Sequence, residues 1–132
     1  MTAIYLDSSA LIKLVVDERE SAALRHWLQN RPDATWFTSA LSEVEVLRAV
    51  GRVHPPALDA ARAVLDLVVQ LEIDENIRRA AATIPPVGLR SLDAIHVASA
   101  LLLRDETEAV LVYDTKLAAA CARAGLKVES PS

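Results

Sequence analysis

Three aspartates stand where a carboxylate is costly unless it does something. Asp7 ends the apolar run of IYLDSSALIKL, Asp114 ends that of VLVYDTK, and Asp93 opens RSLDAIHVASAL. Glu43 and Glu45 compete for a fourth place in TSALSEVEVLRAV. Carboxylates without paired histidines or a second cysteine favour hard cations, and Mg²⁺ takes one or two of them while keeping several waters. Brought together, such acids raise one another's pKa values, so a cluster of them makes sense chiefly as a site that binds a cation when it works. One or two ions there could lower the pKa of a bound water and stabilise charge on phosphoryl oxygens during in-line displacement. Each aspartate also has an ordinary structural reading. Asp is a favoured helix N-cap, and an acid in a first turn complements the helix dipole.

The elements that must position these acids follow from the apolar pattern. Ala3 to Leu6 read as a short buried strand, followed by helices from about Ser9 to Val16 and Glu20 to Asn30. Thr35 to Thr38 form a second strand, and Ala40 to Arg52 a helix that Pro55 and Pro56 stop. Leu58 to Val69 read as helix, Leu71 to Ile73 as strand and Glu75 to Ile84 as helix, ending at Pro85 and Pro86. Ser91 to Leu103 are helical with Ser91 as the expected cap, Ala109 to Tyr113 are a strand, Thr115 to Ala124 a helix stopped by Gly125, and Leu126 to Val128 a last strand. Strand alternates with helix throughout, which predicts right-handed crossovers and a mainly parallel sheet with helices on both faces. The carboxyl ends of parallel strands share one edge, where open α/β sheets bind ligands, and Asp7 and Asp114 both fall there.

On the Ser91 helix, residues 93, 96, 97 and 100 share a stripe, so Asp93 and His96 are a polar pair on a face otherwise made of Val97 and Ala100. A lone His on such a face is more often a hydrogen-bonded core residue than a ligand. Glu43 and Glu45 lie about 200° apart on a helix and cannot serve one site. Glu45 shares its stripe with Arg48 and Arg52, and Glu43 lies beside Val46, Leu47 and Val50, so periodicity gives the first a solvated face and the second an awkward one. That comparison leaves both open.

The totals bound the function. A chain of 132 residues fits one domain, residues 1–132, with one compact core. Its apolar runs are far shorter than a membrane span needs, so the 52% hydrophobic content points to a subunit or partner interface. MTAIYLD lacks a basic n-region and cleavage site, so a cytoplasmic location is expected. Cys121, the single cysteine, reads as a buried structural thiol. A net charge of −4 argues against holding nucleic acid by charge alone, so any polyanion needs local basic groups or bound cations.

IYLDSSALIKL, TSALSEVEVLRA, RSLDAIHVASAL and VLVYDTKLAAACARAGL, in this order and spacing, resemble the PIN-domain ribonucleases, and most closely the VapC toxins of VapBC toxin–antitoxin pairs. The resemblance covers nearly the whole chain. It implies a three-layer α/β fold and a metal-dependent endoribonuclease that hydrolyses RNA phosphodiester bonds with a metal-activated water, leaving 5′-phosphate and 3′-hydroxyl ends. It places the family's acids on Asp7, Glu45 rather than Glu43, Asp93 and Asp114. Asp7, Asp93 and Asp114 become ligands of Mg²⁺ or Mn²⁺, and Ser8, the hydroxyl after the first acid, orients Asp7 or a water. A homodimer and a small VapB-type antitoxin are the implied partners. Among nearby cations, Lys13, Arg48, Arg52, Arg90 and Lys116, the choice for holding substrate falls on Arg90 and Lys116. Two other readings share the sheet. A receiver-like phospho-acceptor domain needs an adjacent acid pair after the first strand, where this chain has Ser8 and Ser9. In a non-catalytic interaction module the acids are only caps.

Overall fold

Four consecutive apolar residues make the first strand, β1 (Ala3–Leu6), and none of them is more than 1% exposed. A strand buried on both faces belongs inside a parallel sheet. The computed structural model describes residues 2–132, so Met1, the first residue of the MTAIYLD stretch, lies outside the described residues. After β1 come α1 (Ser8–Val15), α2 (Ser21–Gln29), β2 (Thr35–Ser39), α3 (Leu41–Val53), a 3-10 turn at Pro55–Ala57, α4 (Leu58–Asp66), β3 (Val69–Leu71), α5 (Glu75–Ala81), α6 (Ser91–Leu101), β4 (Thr107–Leu111), α7 (Thr115–Arg123) and β5 (Val128–Glu129). The strands lie in the order β3-β2-β1-β4-β5, and every neighbouring pair is parallel. This is the three-layer α/β arrangement expected from the alternation of strands and helices.

The two-residue period of β1 divides the core. Ile4 and Leu6 face Ala10 and Leu11 of α1, Leu24 and Leu28 of α2, Val46 and Val50 of α3, and Leu65 of α4. Ala3 and Tyr5 face Val97 and Ala100 of α6 and Leu117, Ala120 and Cys121 of α7. Cys121 is buried, and burial pushes its thiol up to about 12, the behaviour of an inert packing residue. Among the described residues, no helix is long and apolar enough to cross a membrane.

Some boundaries differ from the expected ones. The third strand begins at Val69 rather than Leu71, because pairing of Phe37 with Val69 draws into the sheet a residue whose apolar spacing had continued the preceding helix. The fourth strand spans Thr107–Leu111 rather than Ala109–Tyr113, its ladder with β1 starting at the pair Ala3 and Thr107. The last strand is Val128–Glu129, set by pairing with Val110 and Leu111. The chain lays β2 and β3 on one side of β1, then crosses to lay β4 and β5 on the other. The carboxyl ends of β1 and β4 therefore flank the switch point, where neighbouring connections diverge and leave a crevice.

Candidate active site

A pocket of about 290 Å³ lies at that switch point, and Asp7, Glu45, Asp93 and Asp114 all line it. Asp7 follows the last residue of β1 and is the N-cap of α1, so its position is fixed by the sheet behind it and the helix ahead. Its Oδ1 accepts from the Ala10 N–H at 3.0 Å and from the Ser9 hydroxyl at 2.6 Å. Cap and site are thus compatible roles of one residue. Only 2% of Asp7 is exposed, and burial raises its carboxyl to about 6 against the opposing Ser9 hydrogen bond.

The hydroxyl on Asp7 is that of Ser9, and of the two roles expected of Ser8, orienting Asp7 or a water, Ser8 does not take the first. The Asp7 cap draws the first turn of α1 back onto its carboxylate, which brings the second helical residue to Oδ1 and leaves Ser8 on the pocket wall. Ser9 Oγ also accepts the Tyr113 N–H at 2.9 Å. That amide serves the site instead of the sheet, since β4 ends two residues before it. Asp114 comes next and caps α7, its Oδ1 accepting from the Leu117 N–H at 2.9 Å. One serine hydroxyl therefore ties the acid after β1 to the loop carrying the acid before α7.

Asp93 is the third residue of α6. The cap position belongs to Arg90, which makes no side-chain cap bond, and Ser91 lies inside the helix instead of capping it. Asp93 Oδ2 is buried with no hydrogen-bond partner, and Arg90 Nε stands 3.7 Å away. Burial first and the Asp114 charge second raise the Asp93 pKa, with Arg90 opposing. An orphaned carboxylate oxygen beside a second acid needs an explanation, because most buried polar atoms are satisfied.

Of the two glutamates, Glu45 lines the pocket and Glu43 is exposed. α3 turns Ser42, Val46 and Val50 into the protein, which carries Glu45 toward α6. There Glu45 Oε1 lies 2.7 Å from His96 Nε2, and His96 Nδ1 lies 2.8 Å from the Tyr5 hydroxyl. His96 is a buried, hydrogen-bonded core residue, as its apolar stripe suggests, and it also touches the site. The stripe continuing from Glu45 is no plain solvated face either, since Arg48 and Arg52 line a second groove that meets the pocket at Ser8, Glu45 and Leu92.

Of the two cations chosen to hold substrate, Arg90 lines the acid pocket and Lys116 does not. Lys116 lines a separate hollow with Pro86, Gly88 and Leu89, because one residue along a helix turns a side chain by about 100° and the next residue, Leu117, takes the pocket side. Lys13 is committed elsewhere, to Glu20 at 2.7 Å and Glu18 at 3.4 Å.

Among the described residues, no three His, Cys, Asp or Glu groups are placed to close on one ion. The donor chemistry fits a hard cation nonetheless. Every candidate donor is a carboxylate oxygen, one of them is desolvated and unpartnered, and two of the acids are held in their charged form only at a cost.

A family model of the PIN domain matches residues 4–123. Ribonuclease VapC35 of Mycobacterium tuberculosis is 45% identical over 130 residues, covering 97% of this chain and 96% of that one. The fold has solved counterparts in a toxin–antitoxin complex from Klebsiella pneumoniae, with TM-score 0.70, 22% identity and 98% of each chain covered, and in Mycobacterium tuberculosis VapC20, a sarcin-ricin loop cleaving toxin, with TM-score 0.71, 15% identity, and 93% of this chain and 95% of that one covered. The chain belongs to the PIN-domain family, in the branch of the VapC toxins.

Proposed function

We propose that this chain is the toxin of a type II toxin–antitoxin pair, a Mg²⁺- or Mn²⁺-dependent endoribonuclease acting in the cytoplasm as a single nuclease domain. The observation that carries the reading is the meeting of Asp7, Glu45, Asp93 and Asp114 in one pocket of a chain so similar to a ribonuclease. Asp7, Asp93 and Asp114 would hold the cation, which when bound supplies Lewis-acid charge to a phosphoryl group. Glu45 is the acid left to orient or deprotonate the attacking water. Ser9 keeps Asp7 turned into the pocket, and Arg90 offers a guanidinium to an RNA phosphate at its mouth. The reading is tested by incubating the chain with single-stranded and loop-containing RNA. Cleavage in Mn²⁺ that stops in excess EDTA is expected, and undiminished cleavage in EDTA overturns metal dependence. An inert chain in Mn²⁺ would leave the interaction-module reading in its place.

The expected partners are a second copy of the chain and a small VapB-type antitoxin. The groove beside the acid pocket suits an apolar segment, since Ile12, Leu41 and Ala49 line it with Val44 and Leu92, which are 55% and 49% exposed. A basic side chain carried by that segment would reach the carboxylates where groove and pocket join. Co-expression with a small VapB-type antitoxin from the native host should yield a stable complex that no longer cleaves RNA. A monodisperse monomer at micromolar concentration with no such complex would count against both partners.

A further inference from the structure

We propose that His96 is a positioning residue for Glu45, donating its Nε2–H to the Glu45 carboxylate in a tautomer that Tyr5 fixes from the far side of the ring. The inference rests on the proposed function only for what Glu45 does. The contacts themselves link residues 91 and 51 positions apart, at 2.8 and 2.7 Å, and His96 is 2% exposed. Two groups sit on opposite edges of one ring, and an ionised Glu45 can only accept from it.

Tyr5 is 1% exposed, and an ordinary phenol carries its proton at neutral pH. Its O–H therefore has a proton to donate, and Nδ1 is an acceptor at 2.8 Å. A neutral imidazole whose Nδ1 accepts carries its proton on Nε2. That proton points at Glu45 Oε1, an obligate acceptor when ionised. The other neutral tautomer would set the Nε2 lone pair against an ionised carboxylate 2.7 Å away. A glutamate has three side-chain torsions to restrain, and the Glu45 side chain is 27% exposed, so without an anchor it would sample solvent. Pinning Oε1 leaves Oε2 to the pocket. The ring also joins segments that position three of the acids: Asp7 follows Tyr5 by two residues, just past the end of β1, Glu45 is on α3, and His96 lies one turn beyond Asp93 on α6.

The test is a double-mutant cycle in the full chain, read by RNA cleavage and by imidazole nitrogen NMR. His96→Leu should lower kcat by about 10- to 100-fold, the usual effect of losing a partner that orients a site group, with KM nearly unchanged. In a Glu45→Gln background the same change should cost nothing further, because the group being positioned is already gone. His96→Gln, whose amide can donate toward Glu45, should recover part of the loss. The wild-type spectrum should show a neutral ring protonated at Nε2, with signals that move in Glu45→Gln and in Tyr5→Phe. If His96→Leu unfolds the chain because the Tyr5 hydroxyl is stranded, Tyr5→Phe combined with His96→Leu removes both polar groups and carries the same expectation. A ring protonated at Nδ1, or an equal loss of kcat in both backgrounds, overturns the proposal. A wild type that cleaves no RNA would instead overturn the proposed function, and the ring spectra would still decide the Tyr5–His96–Glu45 arrangement.

Discussion

Asp7→Asn will lower RNA cleavage by about a hundredfold or more, as removal of one charged group from a preorganised site does, and will at the same time stabilise the metal-free protein at neutral pH. The second half follows from burial. Asp7 titrates at 3.8 when unfolded and at about 6 when folded. Below about pH 4 the group is protonated in both states and costs nothing extra. From there to about 6 the folded protein binds more protons than the unfolded chain, so stability falls as pH rises, and above about 6 the full penalty stands. Roughly two pKa units correspond to about 3 kcal/mol, which in a domain of this size is several degrees in the thermal midpoint. Asparagine removes the charge and keeps the cap, because its amide oxygen can still accept from Ser9 and Ala10. The midpoint of Asp7→Asn should match wild type near pH 4 and exceed it by a gap that widens up to about pH 6 and then holds. A variant that is less stable than wild type at pH 7.5 would show that the carboxylate is there for the helix alone.

Millimolar Mn²⁺ will raise the thermal midpoint of the wild type, and Asp93→Asn will lose much of that rise. On the proposed function the gathered carboxylates would bind a cation in the fold and scarcely bind one when dispersed, so ligand linkage would stabilise the folded state by about 2.7 kcal/mol at a hundredfold excess over Kd. Asp93 brings an unpartnered oxygen and a pKa raised by burial and by Asp114, so its neutralisation relieves strain in EDTA. The metal-free midpoint of Asp93→Asn should therefore rise or stay level. If Asp93 served only the helix dipole, its loss would lower the midpoint by roughly 0.3 to 1 kcal/mol and leave the metal shift intact. Melting both proteins in EDTA and in Mn²⁺ separates these outcomes, and a destabilised variant with an unchanged metal shift removes Asp93 from the site.

What could be read from the sequence was local. The apolar run before Asp7 marks a strand end because a buried strand is a continuous run of four residues, and its carboxyl edge is then fixed by chain direction. The alternation of such runs with helical spacing is enough for the sheet. Family resemblance, rather than periodicity, selects Glu45 over Glu43, because its charged stripe looks solvated until α6 is packed beside it. The bond from His96 to Glu45 and Tyr5 spans distant segments, and no local pattern announces it. Ser9 rather than Ser8 depends on how the first turn of α1 closes on its cap. Lys116 is close to Asp114 along the chain, yet the helix turns it into another hollow. The early exit of β4 depends on its register with β1, a property of the assembled sheet.

The central position of β1 has a further consequence during synthesis. Ala3–Leu6 are synthesised before β4, their partner on one side, which is separated from them by about a hundred residues. Contacts of such long sequence separation form late, because the intervening chain must be closed into a loop before they are rewarded. The acids follow the same calendar, since Asp7, Glu45, Asp93 and Asp114 emerge one after another and the hydroxyl of Ser9 waits for the amide of Tyr113. A nascent chain therefore holds no complete pocket until Asp114 and Leu117 have been translated. The fold keeps its acids apart until the last of them has been made.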